Sequence, residues 1–177
     1  MKKELKVQIN DRYVCPDKIY NTPKITLFYL YKAPNNKCRH SIGKLDEKTQ
    51  DEMFDCFLRL NNITKSNCKM LKTIRETSLK NMCLNGNVID VKDNRIICNI
   101  SKENKKFETC YESLIRHIRN AIAHGNICVC SKKIILTDLK PKDKNNDEMV
   151  ISARMIIDKQ SLVKFKDLLE ERYKTTN

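Results

Sequence analysis

From Phe107 to His124 the apolar residues Tyr111, Leu114, Ile115, Ile118, Ala121 and Ile122 recur at three- and four-residue spacing, so the segment can bury one face only as a helix. At about 100° per residue, Leu114, Ile115, Ile118, Ala121 and Ile122 fall within an arc of roughly 120°. The other side carries Arg119, Ala123, Arg116, Asn120, His124 and His117, in angular order, across roughly 160°. Ser101-Lys102-Glu103-Asn104 begins this helix and Gly125 stops it. Whatever else the chain forms must cover that apolar stripe.

Punctuation elsewhere is sparse, with three Gly and four Pro. No repeat or linker divides the chain, so residues 1–177 are read as one domain. Pro16, Pro23 and Pro34 break residues 1–45 into an irregular N-terminal extension. Within it, Ile25–Tyr31 fits a strand or a short buried helix, and periodicity does not choose. From Asp46 a helix carries Met53, Phe54, Phe57, Leu58 and Leu60, with acidic residues crowding its front. A second is expected from Ser66 or Asn67 to about Leu84, ending before Asn85-Gly86-Asn87. Val88–Val91 and Ile96–Ile100 suggest a small hairpin around Lys92–Arg95, and Ile134–Leu139 with Met149–Ile157 suggest another. A last helix follows Asp158–Ser161 and carries Leu162, Val163, Phe165, Leu168, Leu169 and Tyr173. The expected fold class is mainly α, a helical core with one or two small β-hairpins.

Hydrophobic residues are 40% and charged residues 32% of the chain, which excludes wholesale disorder. Lys and Arg number 35 against 22 Asp and Glu, a net charge of +13. A polyanionic partner suits that excess, although a Lys-, Asn- and Ile-rich composition accounts for it equally well. The nine cysteines are odd in number and scattered, a poor disulfide framework. Cys128-Val129-Cys130 and Cys38-Arg39-His40 lack matching second pairs, so no metal site is expected. Met1-Lys2-Lys3-Glu4-Leu5 leads into no apolar run, and Ile25–Tyr31 is too short to span a bilayer. The expectation is a cytoplasmic protein with reduced thiols and no membrane partner.

The polar arc of the 107–124 helix has the residue types that RNA cleavage needs. The substrate brings its own nucleophile, the 2′-hydroxyl. The protein must remove that proton, protonate the leaving 5′-oxygen and stabilise the crowded phosphorane. Imidazole serves proton transfer near neutrality, and the guanidinium fork matches phosphate oxygens. His117 and His124 are seven residues apart and nearly in line, with Asn120 between them. Arg119 and His124 diverge, and Ala123 leaves room between them. An Arg and a His on a polar helix face are common, so spacing alone does not make a site.

Leu114-Ile115-Arg116-His117-Ile118-Arg119-Asn120-Ala121-Ile122-Ala123-His124-Gly125 resembles the signature helix of HEPN domains: Arg, a polar residue, three to five more residues, then His. The resemblance covers about residues 105–173. It implies a HEPN-like helical bundle that pairs as a homodimer, with Arg119 and His124 of both chains around one RNA phosphate. It further implies a metal-independent endoribonuclease without cofactor, leaving a 2′,3′-cyclic phosphate. An antitoxin or defence-system partner and a toxin or phage-defence role go with it. By this likeness Arg119 binds the scissile phosphate, His124 transfers a proton and Asn120 orients the pair. Arg116 and His117 lie outside the motif and are added as RNA-binding residues from the helical wheel alone. HEPN toxins silenced by adenylylation carry a Tyr two positions after the motif His. Asn126 stands there, so that control is not expected.

Two other readings remain open. One is a non-catalytic HEPN module that binds RNA or protein. The other is an accessory subunit docking its basic surface on an acidic partner, for which RNA binding would respond weakly to salt. Tyr13, Tyr20, Tyr29 and Tyr31 fit either a substrate platform or a core.

Overall fold

The apolar runs Arg95–Asn99, Lys133–Pro141 and Met149–Asp158 are buried along most of their length, with buried side chains alternating to both faces. Strands buried on both sides need a layer above and a layer below. The computed structural model supplies both; it describes residues 6–9, 12–14, 17–18, 28–32, 45–86, 88–103, 106–130, 132–143 and 148–174.

In chain order the strands are β1 (Lys6–Ile9), β2 (Arg12–Val14), β3 (Asp17–Lys18), β4 (Cys68–Leu71), β5 (Val88–Asp90), β6 (Arg95–Asn99), β7 (Lys102–Glu103), β8 (Lys106–Phe107), β9 (Ile127–Cys130), β10 (Lys133–Pro141) and β11 (Met149–Asp158). The helices are α1 (Glu47–Leu60), α2 (Glu76–Asn81), α3 (Cys110–Ala123) and α4 (Lys159–Lys174), with a π-helical turn at Phe28–Lys32. Six strands form one mixed sheet in the order β3-β9-β10-β11-β6-β4, parallel only between β4 and β6. A three-stranded sheet β2-β1-β5 and the pair β7-β8 stand beside it.

Period-two alternation sorts the sheet's side chains into two cores. Ile96, Cys98, Ile134, Leu136, Ala153, Met155 and Ile157 face Phe28, Tyr29, Phe57, Leu114, Ile118, Phe165 and Leu169 of the helical layer. Ile97, Ile135, Ile156 and Cys130 face Leu79, Met82, Leu84 and Ile89. Tyr29 is fully buried and its hydroxyl donates to the Leu162 carbonyl at 3.1 Å, which makes it a core residue.

The mainly α bundle is therefore overturned: this is an α+β fold whose helices cover a six-stranded sheet. The expected hairpin at 88–100 does not form. β5 pairs in parallel with β1, whereas β6 pairs with β11 and β4. β6 thereby enters the large sheet, where its residues are buried. The expected helix from 66 to 84 also breaks up, because Met70 and Leu71 enter β4, leaving α2 only six residues. The hairpin of β10 and β11 forms as expected, with a register shift between Asp138 and Leu139. Met1–Leu5, Tyr20 and Cys38-Arg39-His40 lie outside the described residues.

Candidate active site

α3 starts later than its apolar period suggests, because residues 102–103 and 106–107 are strands. Its start is fixed at Thr109. The Thr109 hydroxyl accepts from Glu112 N at 3.1 Å, and the Glu112 carboxylate accepts from Thr109 N at 2.9 Å. This reciprocal cap satisfies two otherwise orphaned amides. Thr109 Oγ1 also donates to Gln50 Oε1 at 2.6 Å, tying the cap to α1. At the other end Gly125 adopts φ +63°. Asn126 N donates to Ala121 O at 2.9 Å and Gly125 N to Ile122 O at 3.1 Å, a double closure that needs the left-handed residue. His124 is the C-cap of α3, and both it and Ala123 are exposed. Arg119 is half-buried one turn earlier.

The other residues of the polar arc turn inward. His117 is 0% exposed. Its Nδ1 lies 2.6 Å from Asp138 Oδ2, and its Nε2 lies 2.8 Å from the Asn99 carbonyl. Asn120 Nδ2 donates to the same Asp138 oxygen at 3.1 Å. Arg116 donates through Nε to Glu108 Oε2 at 3.0 Å and through Nη2 to Glu108 Oε1 and to the Asn99 carbonyl, the last at 2.8 Å. Ser113 Oγ donates to that carbonyl too, at 2.9 Å. Burial pushes the Asp138 carboxyl up, but the hydrogen bonds from His117 and Asn120 outweigh it and hold the group below the usual carboxylate range.

The arc thus divides into two parts. Ala123 and His124 occupy the exposed C-terminal end, with Arg119 half-buried before them. Arg116, His117 and Asn120 are built into a polar seam between α3 and the sheet. His117 is withdrawn from the RNA-facing position given it by the helical wheel. The wheel shows which residues share a side, and here the sheet covers part of the polar side and offers an acid in it. Arg116 is held by Glu108 and Asn99 and is not a free surface cation.

Sequence reasoning missed Asp138, Glu108 and Asn99. Asp138 did leave a trace: it is the acid in the apolar run Ile134–Leu139, in phase with Ile134 and Leu136. Glu108 and Asn99 left none, since their roles depend on the β6-to-α3 connection folding back along the helix. Among the described residues, no group of three or more His, Cys, Asp or Glu is placed to hold a metal ion. Among them too, no helix is long and apolar enough to cross a membrane.

The candidate site is thus a capped helix ending in Arg-Asn-x-x-x-His and braced from beneath by Asp138. The family model described as HEPN pEK499 p136 matches residues 19–177, and the chain belongs to that family. The match takes in β4, β6 and the helical layer as well as the motif helix, well beyond residues 105–173. No curated protein and no solved structure matches the chain.

Proposed function

We propose that this HEPN protein is an endoribonuclease that cleaves RNA by attack of the 2′-hydroxyl on the adjacent phosphorus. The observation carrying the proposal is the division of the motif helix. Asn120 is anchored from below by Asp138, while Ala123 and His124 reach solvent on a turn closed by two backbone hydrogen bonds. That turn holds a proton-transfer group rigidly at the exposed end of the helix that carries Arg119, and positioned proton transfer is what a reaction at a phosphate requires.

His124 takes part in moving the proton from the 2′-oxygen or to the 5′-oxygen. The 2′-oxygen forms its bond to phosphorus, the P–O5′ bond breaks, and the products are a 2′,3′-cyclic phosphate and a 5′-hydroxyl. Arg119 balances the charge of the phosphorane. Arg119 and His124 diverge on their helix, so the complete centre takes one set from each of two chains, with Ala123 as the gap where the copies approach. Such an activity would serve as a toxin or in phage defence.

Arg119→Ala and His124→Ala should each lower cleavage by a factor on the order of a hundred or more while leaving the unfolding curve in place. Sequencing of RNA ends from cells expressing wild type and His124→Ala reads this directly. Normal cutting by either variant would disprove the assignment. Tight RNA binding without any cleavage by the wild-type chain would favour the non-catalytic module.

A further inference from the structure

Phe107 is 39% exposed and is the one exposed aromatic among the residues whose side chains are described. Two exposed ammonium groups stand over its ring, Lys72 Nζ at 4.5 Å from the centroid and Lys102 Nζ at 5.5 Å. The ring face attracts each of them, but it brings two like charges together. Among those same residues neither lysine forms an ion pair with a carboxylate. The arrangement is an exposed aromatic ring with two positive charges over it.

The platform is rigidly founded. Asn99 Nδ2 donates to Lys72 O at 2.7 Å, and Ile100 N donates to Leu71 O at 2.7 Å. Ser101 N donates to Glu108 Oε1 at 2.6 Å and Glu108 N to Ser101 O at 3.1 Å, while Lys102 pairs with Phe107 across β7 and β8. Asn99 and Glu108 are the residues that hold Arg116 and His117. Phe107 and the motif helix therefore share one frame. Cys110, where the helix begins beside this platform, lies about 21 Å along the helix axis from His124, a span that an extended single strand can bridge.

We propose that Phe107, Lys72 and Lys102 form a subsite for single-stranded RNA, an unpaired base displacing the ammonium groups from the ring to stack on Phe107 and the two lysines swinging aside to take the flanking phosphates. A planar face beside two cations matches the base-and-phosphate repeat of a single strand. An acidic peptide would need the lysines and not the ring. The choice of RNA rests on the ribonuclease reading, but the test reads binding alone.

The full chain carrying His124→Ala is titrated against a fluorescent single-stranded oligoribonucleotide. Adding Phe107→Ala should weaken binding roughly fivefold to hundredfold, the range expected for loss of one base stack. Phe107→Trp should keep the parent affinity. Lys72→Ala and Lys102→Ala should each lower the slope of log affinity against log salt by about one. A duplex of the same sequence, whose bases are already stacked, should not respond to Phe107→Ala. The subsite is ruled out if Phe107→Ala binds single strands as tightly as its parent, if duplex and single strand lose equally, or if Phe107→Trp behaves like Phe107→Ala. Persistent cleavage by the His124→Ala parent would sink the assignment of His124 as the proton-transfer residue, and no cleavage by the wild-type chain would sink the ribonuclease reading, while the binding comparison still decided the subsite.

Discussion

Asp138 sits on β10 and takes hydrogen bonds from two residues of α3, so one carboxylate sets how the motif helix lies on the sheet. Removing it leaves His117 buried beside no acceptor on that side and releases Asn120. Asp138→Ala should cost about 3–5 kcal/mol, the usual penalty for breaking a buried pair. Urea unfolding measures this, and a loss under about 1 kcal/mol, the scale of an exposed pair, would refute the bracing role. Acid should expose the same contact. The folded-state pKa of Asp138 lies below its unfolded value. Its contribution is therefore present above the unfolded value near pH 4 and is lost as pH falls through the folded one. Wild type should lose more stability than Asp138→Asn between pH 5 and pH 3. Equal losses would mean that Asp138 does not titrate as described. Arg119, Asn120 and His124 were all legible as candidates from the motif, whereas the acid beneath them was not, because no local spacing joins residue 138 to residues 117 and 120.

The motif helix was legible because its apolar stripe and Gly125 are local signals. α1 was legible for the same reason, with Asp46 as its cap: Thr49 N donates to Asp46 Oδ1 at 2.9 Å. What local signals could not convey was the choice between equally apolar alternatives. Met70 and Leu71 suit a helix face as well as a strand, and the availability of β6 as a parallel neighbour decided it. The start of α3 was misplaced for a similar reason. Phe107 continues the helical period, yet Thr109 caps two residues later. Thr109→Ala should cost about 1 kcal/mol through the lost cap, with a further penalty from Gln50, which is buried and would lose its donor. Chemical denaturation resolves this, and a neutral substitution would show that α3 is held by packing alone.

At the scale of the whole molecule, the mistaken bundle came from treating hairpins as appendages. β10 and β11 are the centre of the sheet and separate the two cores. A sheet in that position buries one side of α3 and leaves the end of the helix exposed, where the proposed second copy would meet it. Ala123 is exposed at that end. Ala123→Arg should therefore give a monomer by sedimentation and lower cleavage on the order of a hundredfold, with stability unchanged to within about 0.5 kcal/mol. A fully active monomer would argue against a composite site. The net charge of +13 should make RNA affinity fall steeply with salt.

Three side chains of α3, those of Ser113, Arg116 and His117, converge on the carbonyl oxygen of Asn99. That oxygen belongs to the main chain, so no codon change deletes it. An alanine scan would report Asn99 as the residue that steadies Lys72 and would pass over its larger part. A one-residue insertion in β6 just ahead of Asn99 is different, because it turns the carbonyl to the other edge of the strand and disconnects all three contacts at once. Within this family, substitutions at position 99 should accordingly be tolerated better than any change in the length of the strand that leads to it.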